Sequence, residues 1–201
     1  MTSRLLLASG SPRRARLLRQ AGFIFTTCAP KVDEQRLAGE PPRVMVERLA
    51  VVKASNAHAR AAGSNDTNIA CLAADTAVVL GDEALGKPDG LEHAAQMLTQ
   101  LSGRVHQVCT GIAVLDGTDL RSTVVISEVT FSPLSAEDIR DYCATGEPLD
   151  KAGAYAIQGY AGAFIQRLVG SYSGVVGLPL YEVCQLLGQA GIRPERSQTH
   201  D

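Results

Sequence analysis

Apolar and polar positions along the chain alternate between two kinds of block. Leu5-Leu6-Leu7-Ala8 is an uninterrupted apolar run of strand length and predicts a short buried strand. Ser9-Gly10 supplies a turn, Ser11 an N-cap and Pro12 a first helical position, so a helix is expected to about Ala21, stopped by Gly22. Phe23 to Cys28 alternates as a strand does, and residues 29–40 form a polar loop. Pro42 opens a long amphipathic helix to about Ala62 whose apolar face is core packing, followed by a loop over 63–68. Ile69 to Leu80 reads as a buried strand broken by Asp75. Glu92 to Leu101 has helical spacing, and Arg104 to Leu115 with Arg121 to Phe131 form a hairpin across Asp116-Gly117. Ser135 caps a helix ending near Gly146, a glycine-rich stretch over 153–162 leads into a strand at 163–169, and Leu180 to Gln189 is the last helix. The polar tail from Arg193 is expected to fray. Alternating helices and strands predict an α/β class with a mixed sheet.

Composition narrows the class. A chain of 201 residues is of single-domain size, and 45% hydrophobic with 20% charged residues excludes intrinsic disorder. The longest uncharged run, Ala152 to Gln166, is 15 residues, too short for a membrane span. The apolar stretch at the start is short and two arginines follow it, which argues against export. Cys28, Cys71, Cys109, Cys143 and Cys184 are widely spaced, odd in number and without a CxxC pair, the pattern of reduced thiols in a cytoplasmic protein. The four histidines do not cluster, so a zinc site is not expected.

Charge is unevenly spread. The net charge is −2, yet residues 1–32 hold six basic residues and no acid. A basic end on a near-neutral chain suggests a local anion site. Nucleic acid is not the expected partner, because the whole is not basic and only nine aromatics are present for stacking.

Two positions break local rules. Arg13 and Arg14 sit in the first turn of a predicted helix, where the dipole disfavours cations and free N–H groups point outward. A strand, a glycine turn and a helix N-terminus make an anion pocket in which two arginines become favourable; the alternative is that both reach out to solvent. Asp75 lies in an otherwise apolar strand. It suits a strand-end acid that binds a divalent cation or activates water, or else a terminal Asp bonded to backbone.

Gly81-Asp82-Glu83-Ala84-Leu85-Gly86-Lys87 imitates a phosphate-binding P-loop, but Pro88 stands where a magnesium-binding hydroxyl belongs and two acids occupy the loop. That reading fails, although Lys87 can still meet phosphate as a point charge. In the segment Glu147 to Gly159, Gln158 offers both a donor and an acceptor, as reading a base edge requires; the same string also suits a tight crossover with Gly153 and Gly159 at special dihedrals.

Taken in order, Leu7-Ala8-Ser9-Gly10-Ser11-Pro12-Arg13-Arg14, Ala74-Asp75-Thr76, Gly86-Lys87-Pro88, Leu101-Ser102-Gly103-Arg104-Val105-His106, Thr110-Gly111, Asp150-Lys151-Ala152-Gly153-Ala154-Tyr155 and Val175-Val176-Gly177-Leu178-Pro179-Leu180 resemble the Maf nucleotide pyrophosphatases over about residues 5–190. The resemblance implies an elongated two-lobed α/β fold with a mixed sheet and a central cleft, similar to the inosine triphosphate pyrophosphatases. It implies cleavage of a nucleoside triphosphate to monophosphate and pyrophosphate with a divalent cation, Mg²⁺ or Mn²⁺. On the matching positions, Asp75 is the general base or a metal ligand, Glu34 the acid that assists the metal, and Lys53 and Lys87 the cleft lysines. Ser9, Arg13 and Arg14 belong to the phosphate-binding signature. Arg13, Thr76 and Gln158 match the subgroup acting on dTTP and UTP; the subgroup acting on 7-methyl-GTP carries an aromatic, Gln and Glu there. One amide can accept from N3–H of uracil or thymine and donate to a carbonyl beside it, whereas a carboxylate suits the paired donors of guanine. Modified pyrimidine nucleotides share that edge. A nucleotide-binding regulator of cell division is the non-enzymatic alternative, and the resemblance also allows a homodimer.

Overall fold

The computed structural model describes residues 4–63 and 68–195. Residues 64–67 of the loop expected over 63–68, and most of the polar tail, lie outside them. Seven strands and six helices are present among the described residues: β1 Arg4–Ala8, α1 Pro12–Gln20, β2 Thr26–Cys28, α2 Pro42–Ala62, β3 Ile69–Leu80, β4 Glu83–Leu85, α3 Leu91–Leu101, β5 Val105–Asp116, β6 Asp119–Phe131, α4 Ala136–Ala144, β7 Ile165–Val169, α5 Tyr172–Val176 and α6 Leu180–Gln189. The strands form one mixed sheet in the order β2-β1-β3-β5-β6-β7, with β4 on β3. The α/β class is as expected.

Several boundaries differ from expectation. β2 is only three residues long, because Phe23 turns into the core while Ile24 stands 68% exposed and no pairing holds 23–25. Asp75 does not break β3, which runs unbroken over 12 residues. β4 occupies the false P-loop: Gly81, at φ +62°, turns the chain so that Leu80 pairs with Glu83. The tail is tied further than expected, with Glu195 N–H donating to Gly22 C=O at 2.9 Å.

The chain divides into two compact units. The first comprises residues 1–75, 110–124 and 177–201. In it β1 pairs in parallel with β2 on one side and β3 on the other, Ala8 lying beside Cys28 and Ala73. One face of this sheet carries Leu6, Ala8, Ile69, Cys71 and Ala73, and α2 lays Ala50, Ala54 and Ala57 against it. Small residues on both sides let the helix approach closely. Gly111 on β5 extends the same close approach: a Cβ there would stand 2.4 Å from the Val46 carbonyl oxygen of α2.

The second unit comprises residues 76–109 and 125–176. Its core joins Val78, Leu98, Leu101, Val129, Phe131 and Tyr142. The Leu101–His106 motif does structural work here. Gly103, at φ +66°, donates its N–H to Ser132 C=O, and Ser102 Oγ accepts from Leu134 N–H at 2.7 Å. His106 packs edge-on against Phe131 and Tyr155, bonds the Tyr155 hydroxyl at 2.8 Å, and is pushed by burial to a pKa of about 4. Ser135 caps α4, as the sequence predicts, and Asp138 completes a capping box with it.

Candidate active site

In the first unit the chain leaves β1 for β2 on one side and reaches β3 on the other. The carboxyl end of β1, beside Ala73 in the middle of β3, is therefore a topological switch point, where open α/β sheets bind their ligands. The turn Ser9-Gly10-Ser11 follows β1 there. α1 has Ser11 at its N-cap and Pro12 as its first residue, as expected, with no acid in its first turn; the Ser11 side chain makes no capping bond. Instead Ser9 Oγ accepts the Ser11 N–H at 3.1 Å and Arg14 Nη1 at 3.4 Å. Arg14 is further fixed by Nε donating to Gly177 C=O at 2.8 Å. Burial lowers the Arg14 pKa, Asp75 and Glu34 work against that, and Arg13 adds to it; an arginine so displaced is still a cation. Arg14 is thus held inward, and the solvent-reaching alternative does not hold for it.

Asp75 is the next residue on the face of β3 that α2 covers, after Ile69, Cys71 and Ala73. Lys53 lies on the buried stripe of α2, among Met45, Val46, Leu49, Ala50, Ala54 and Ala57. Its ammonium meets Asp75 Oδ1 at 2.6 Å and Glu34 Oε1 at 2.9 Å. Lys53 is 5% exposed and Asp75 8%, while the Glu34 side chain is 58% exposed. A buried lysine and a buried carboxylate each compensate the other's desolvation. The structure thereby brings together Ser9, Arg14, Glu34, Lys53 and Asp75, with Arg13 beside Arg14 on α1. Two carboxylates that face one cation are also a donor set of oxygens suited to a divalent ion. Among the described residues no group of three or more His, Cys, Asp or Glu is placed to hold a metal ion.

Glu34 sits on the irregular segment between β2 and α2, and that segment is held by a pair the sequence did not single out. Arg48 of α2 grips the Glu40 carboxylate at 2.6 and 2.7 Å and donates to Gln35 C=O at 3.1 Å, the residue next to Glu34. Glu40 Oε2 also accepts Leu37 N–H, and Arg36 Nε binds Glu40 C=O. The bond from Arg48 is the main cause that holds Glu40 near a pKa of about 2. Its stabilisation is complete above the ordinary value of 4.5 and is lost as pH falls towards about 2. Denaturant midpoints measured as a function of pH should separate wild type from Glu40→Gln above that window and converge as it is crossed; a difference that does not change with pH would show that ionisation of Glu40 contributes nothing.

Thr76, Lys87 and Gln158 belong to the second unit. Thr76 follows Asp75 on β3 and so points to the opposite face. Lys87 is exposed on the segment after β4, which is fixed by Gly153 N–H donating to Gly86 C=O at 3.0 Å. Gly153 is at φ +66°, and a Cβ there would lie 2.8 Å from Val78, so the motif needs glycine for both reasons. Gly159 differs from expectation: its φ is −106°, open to any residue, and what it lacks room for is a Cβ, which would stand 2.1 Å from the Glu147 carboxylate.

The overall fold is shared with a HAM1 protein from Coxiella burnetii, which superposes with a TM-score of 0.53 over 94% of this chain and 100% of that one, at 16% identity. A family model described as Maf-like protein matches residues 4–190, and the chain belongs to the Maf-like protein family. Among its relatives, a dTTP/UTP pyrophosphatase of Pseudoalteromonas atlantica is 47% identical, over 95% of this chain and 99% of its own. One of Salmonella typhimurium is 48% identical over 98% of each chain, and one of Escherichia coli O157:H7 is 47% identical over the whole of both.

Proposed function

We propose that this protein is a hydrolase that cleaves dTTP and UTP to the nucleoside monophosphate and pyrophosphate. The observation that carries the reading is Lys53 set between Asp75 and Glu34, in the same unit as the basic, strand-to-helix anion end of α1. The substrate pair is supported by full-length relatives of that name at close to half identity, and by Arg13, Thr76 and Gln158 at the positions that separate subgroups.

Each residue has a part. Arg13, Arg14 and the first N–H groups of α1 bind the triphosphate; Lys87 is a further cation suited to phosphate. Lys53 offsets the charge of two acids that would otherwise repel the substrate. Asp75 accepts a proton from the attacking water as its oxygen bonds to the α-phosphorus. The bond from that phosphorus to the bridging oxygen breaks, and pyrophosphate leaves with its electron pair. Asp75 and Glu34 would hold Mg²⁺ or Mn²⁺, hard ions that take carboxylate oxygens. When bound, the ion withdraws charge from phosphoryl oxygens. We place the protein in a reducing compartment, the cytoplasm; all five cysteines stand as thiols, and no helix among the described residues is long and apolar enough to cross a membrane.

The test is a panel of nucleoside triphosphates with Mg²⁺ or Mn²⁺ that resolves pyrophosphate from orthophosphate. Pyrophosphate with TMP and UMP, and little from ATP or GTP, is expected. For Gln158→Glu the preference for uracil and thymine over guanine should fall by about 10²-fold, since a carboxylate faces base carbonyls and has no hydrogen to give them. An unchanged profile in that variant would remove Gln158 from base reading.

A further inference from the structure

Gln158 is exposed, and it lies in a segment with no helix or strand of its own from residue 155 to 159. Such a segment positions a side chain only if something else holds its backbone. One pair of side chains does so from both ends. The Tyr142 hydroxyl on α4 donates to Glu147 Oε1 at 3.0 Å and accepts the backbone N–H of Ala156. Glu147 Oε2 accepts the backbone N–H of Tyr160 at 3.1 Å. Between these anchors Gly159 N–H closes a turn onto Ala156 C=O at 3.0 Å, which leaves Gln158 at its tip.

The seat is shaped as well as bonded. The Glu147 carboxylate lies where a Cβ of residue 159 would be, so glycine there lets the carboxylate reach Tyr160 N–H. The Tyr160 ring stacks on Tyr142 with centroids 5.8 Å apart and planes at 20°. Tyr142 itself is fully buried, so its hydroxyl is a fixed post rather than a mobile one. Glu147 is set in turn by its own N–H, which donates to Thr145 Oγ1 at 3.1 Å.

The geometry points to Glu147 and Tyr142 as positioning residues that hold the Gln158 segment and so set the protein's choice of nucleobase. This rests on the reading of Gln158 as the base-edge contact. Cytosine exchanges the N3–H donor and C4 carbonyl of uracil for an acceptor and an amino donor, so UTP against CTP is the sensitive comparison.

The experiment measures kcat and KM for UTP and CTP in wild type, Glu147→Gln, Tyr142→Phe and Gln158→Ala. Glu147→Gln keeps the shape but replaces an acceptor oxygen with an amide that cannot accept from Tyr160 N–H while its carbonyl serves Tyr142. Its UTP-to-CTP ratio of kcat/KM should shrink by about ten- to a hundredfold, the scale of a displacement near 1 Å, mainly through KM for UTP. A general loss of structure would lower both substrates alike and leave the ratio unmoved. Tyr142→Phe, which retains the ring stack, should shift the ratio in the same direction and stands in if Glu147→Gln does not fold. A wild-type ratio in folded Glu147→Gln and Tyr142→Phe, with Gln158→Ala altered, overturns the positioning role of Glu147 and Tyr142 and leaves base reading intact. A wild-type ratio in Gln158→Ala overturns base reading and that positioning role with it.

Discussion

Asp75→Asn should lower kcat on dTTP by about 10²- to 10⁴-fold, the range that loss of a positioned general base produces. The replacement is nearly isosteric and keeps an oxygen for Lys53 at the place where Oδ1 now stands 2.6 Å from its ammonium. It removes the negative charge and the capacity to take a proton. The same change leaves Lys53 facing only the more exposed Glu34, so a buried cation loses its closest counter-charge. Thermal denaturation then separates the two consequences. A folded Asp75→Asn protein with the wild-type midpoint and no turnover assigns the loss to chemistry. Turnover within about threefold of wild type, well under 1 kcal/mol of barrier, would remove Asp75 from the mechanism.

Gly111→Ala is the second large effect, and it acts through packing. The added Cβ would stand 2.4 Å from the Val46 carbonyl oxygen, 2.5 Å from its carbon and 2.7 Å from Glu47 N. All three are backbone atoms of a helix, so no side chain can rotate away. Either β5 or α2 must move. Overpacking of this kind costs about 1–3 kcal/mol and more where backbone resists. For a protein of this length about 3 kcal/mol lowers the melting midpoint by roughly 6–12 °C. Because Lys53 rides on the same helix two turns on, kcat should fall as well. A midpoint within about 1 °C of wild type, with activity intact, would show that α2 does not rest on β5 at this point.

The sequence made the long elements legible because each carries many residues of one period. The α2 boundaries at Pro42 and Ala62, and the hairpin of β5 and β6 across Gly117, match expectation closely. Among the short elements β1 and β7 were legible, whereas β4 and α5 depend on pairing and packing that begin elsewhere in the chain. Asp75 read as a break in β3 because a lone carboxylate in an apolar run is costly. The residue that removes the cost, Lys53, is 22 positions away, and no local pattern joins the two. The same limit hid Arg48 with Glu40, and Tyr142 with Glu147. Each is an ordinary polar residue in sequence, and only the fold shows that it holds backbone beside a residue of the site. Gly159 was singled out for the wrong property: it needs the absence of a side chain rather than an unusual φ.

The first unit is stitched from three stretches of chain, and its last stretch supplies the Gly177 carbonyl that fixes Arg14. The second unit, by contrast, is complete at residue 176. On a ribosome the polypeptide grows from the amino end, so residues that bear the proposed chemistry are among the earliest made and the last to be finished. Asp75 and Lys53 emerge long before the stretch that locks the phosphate end of α1. The Gly177 acceptor of Arg14 is therefore supplied only by the last stretch to be made, and a chain ending at residue 176 lacks it.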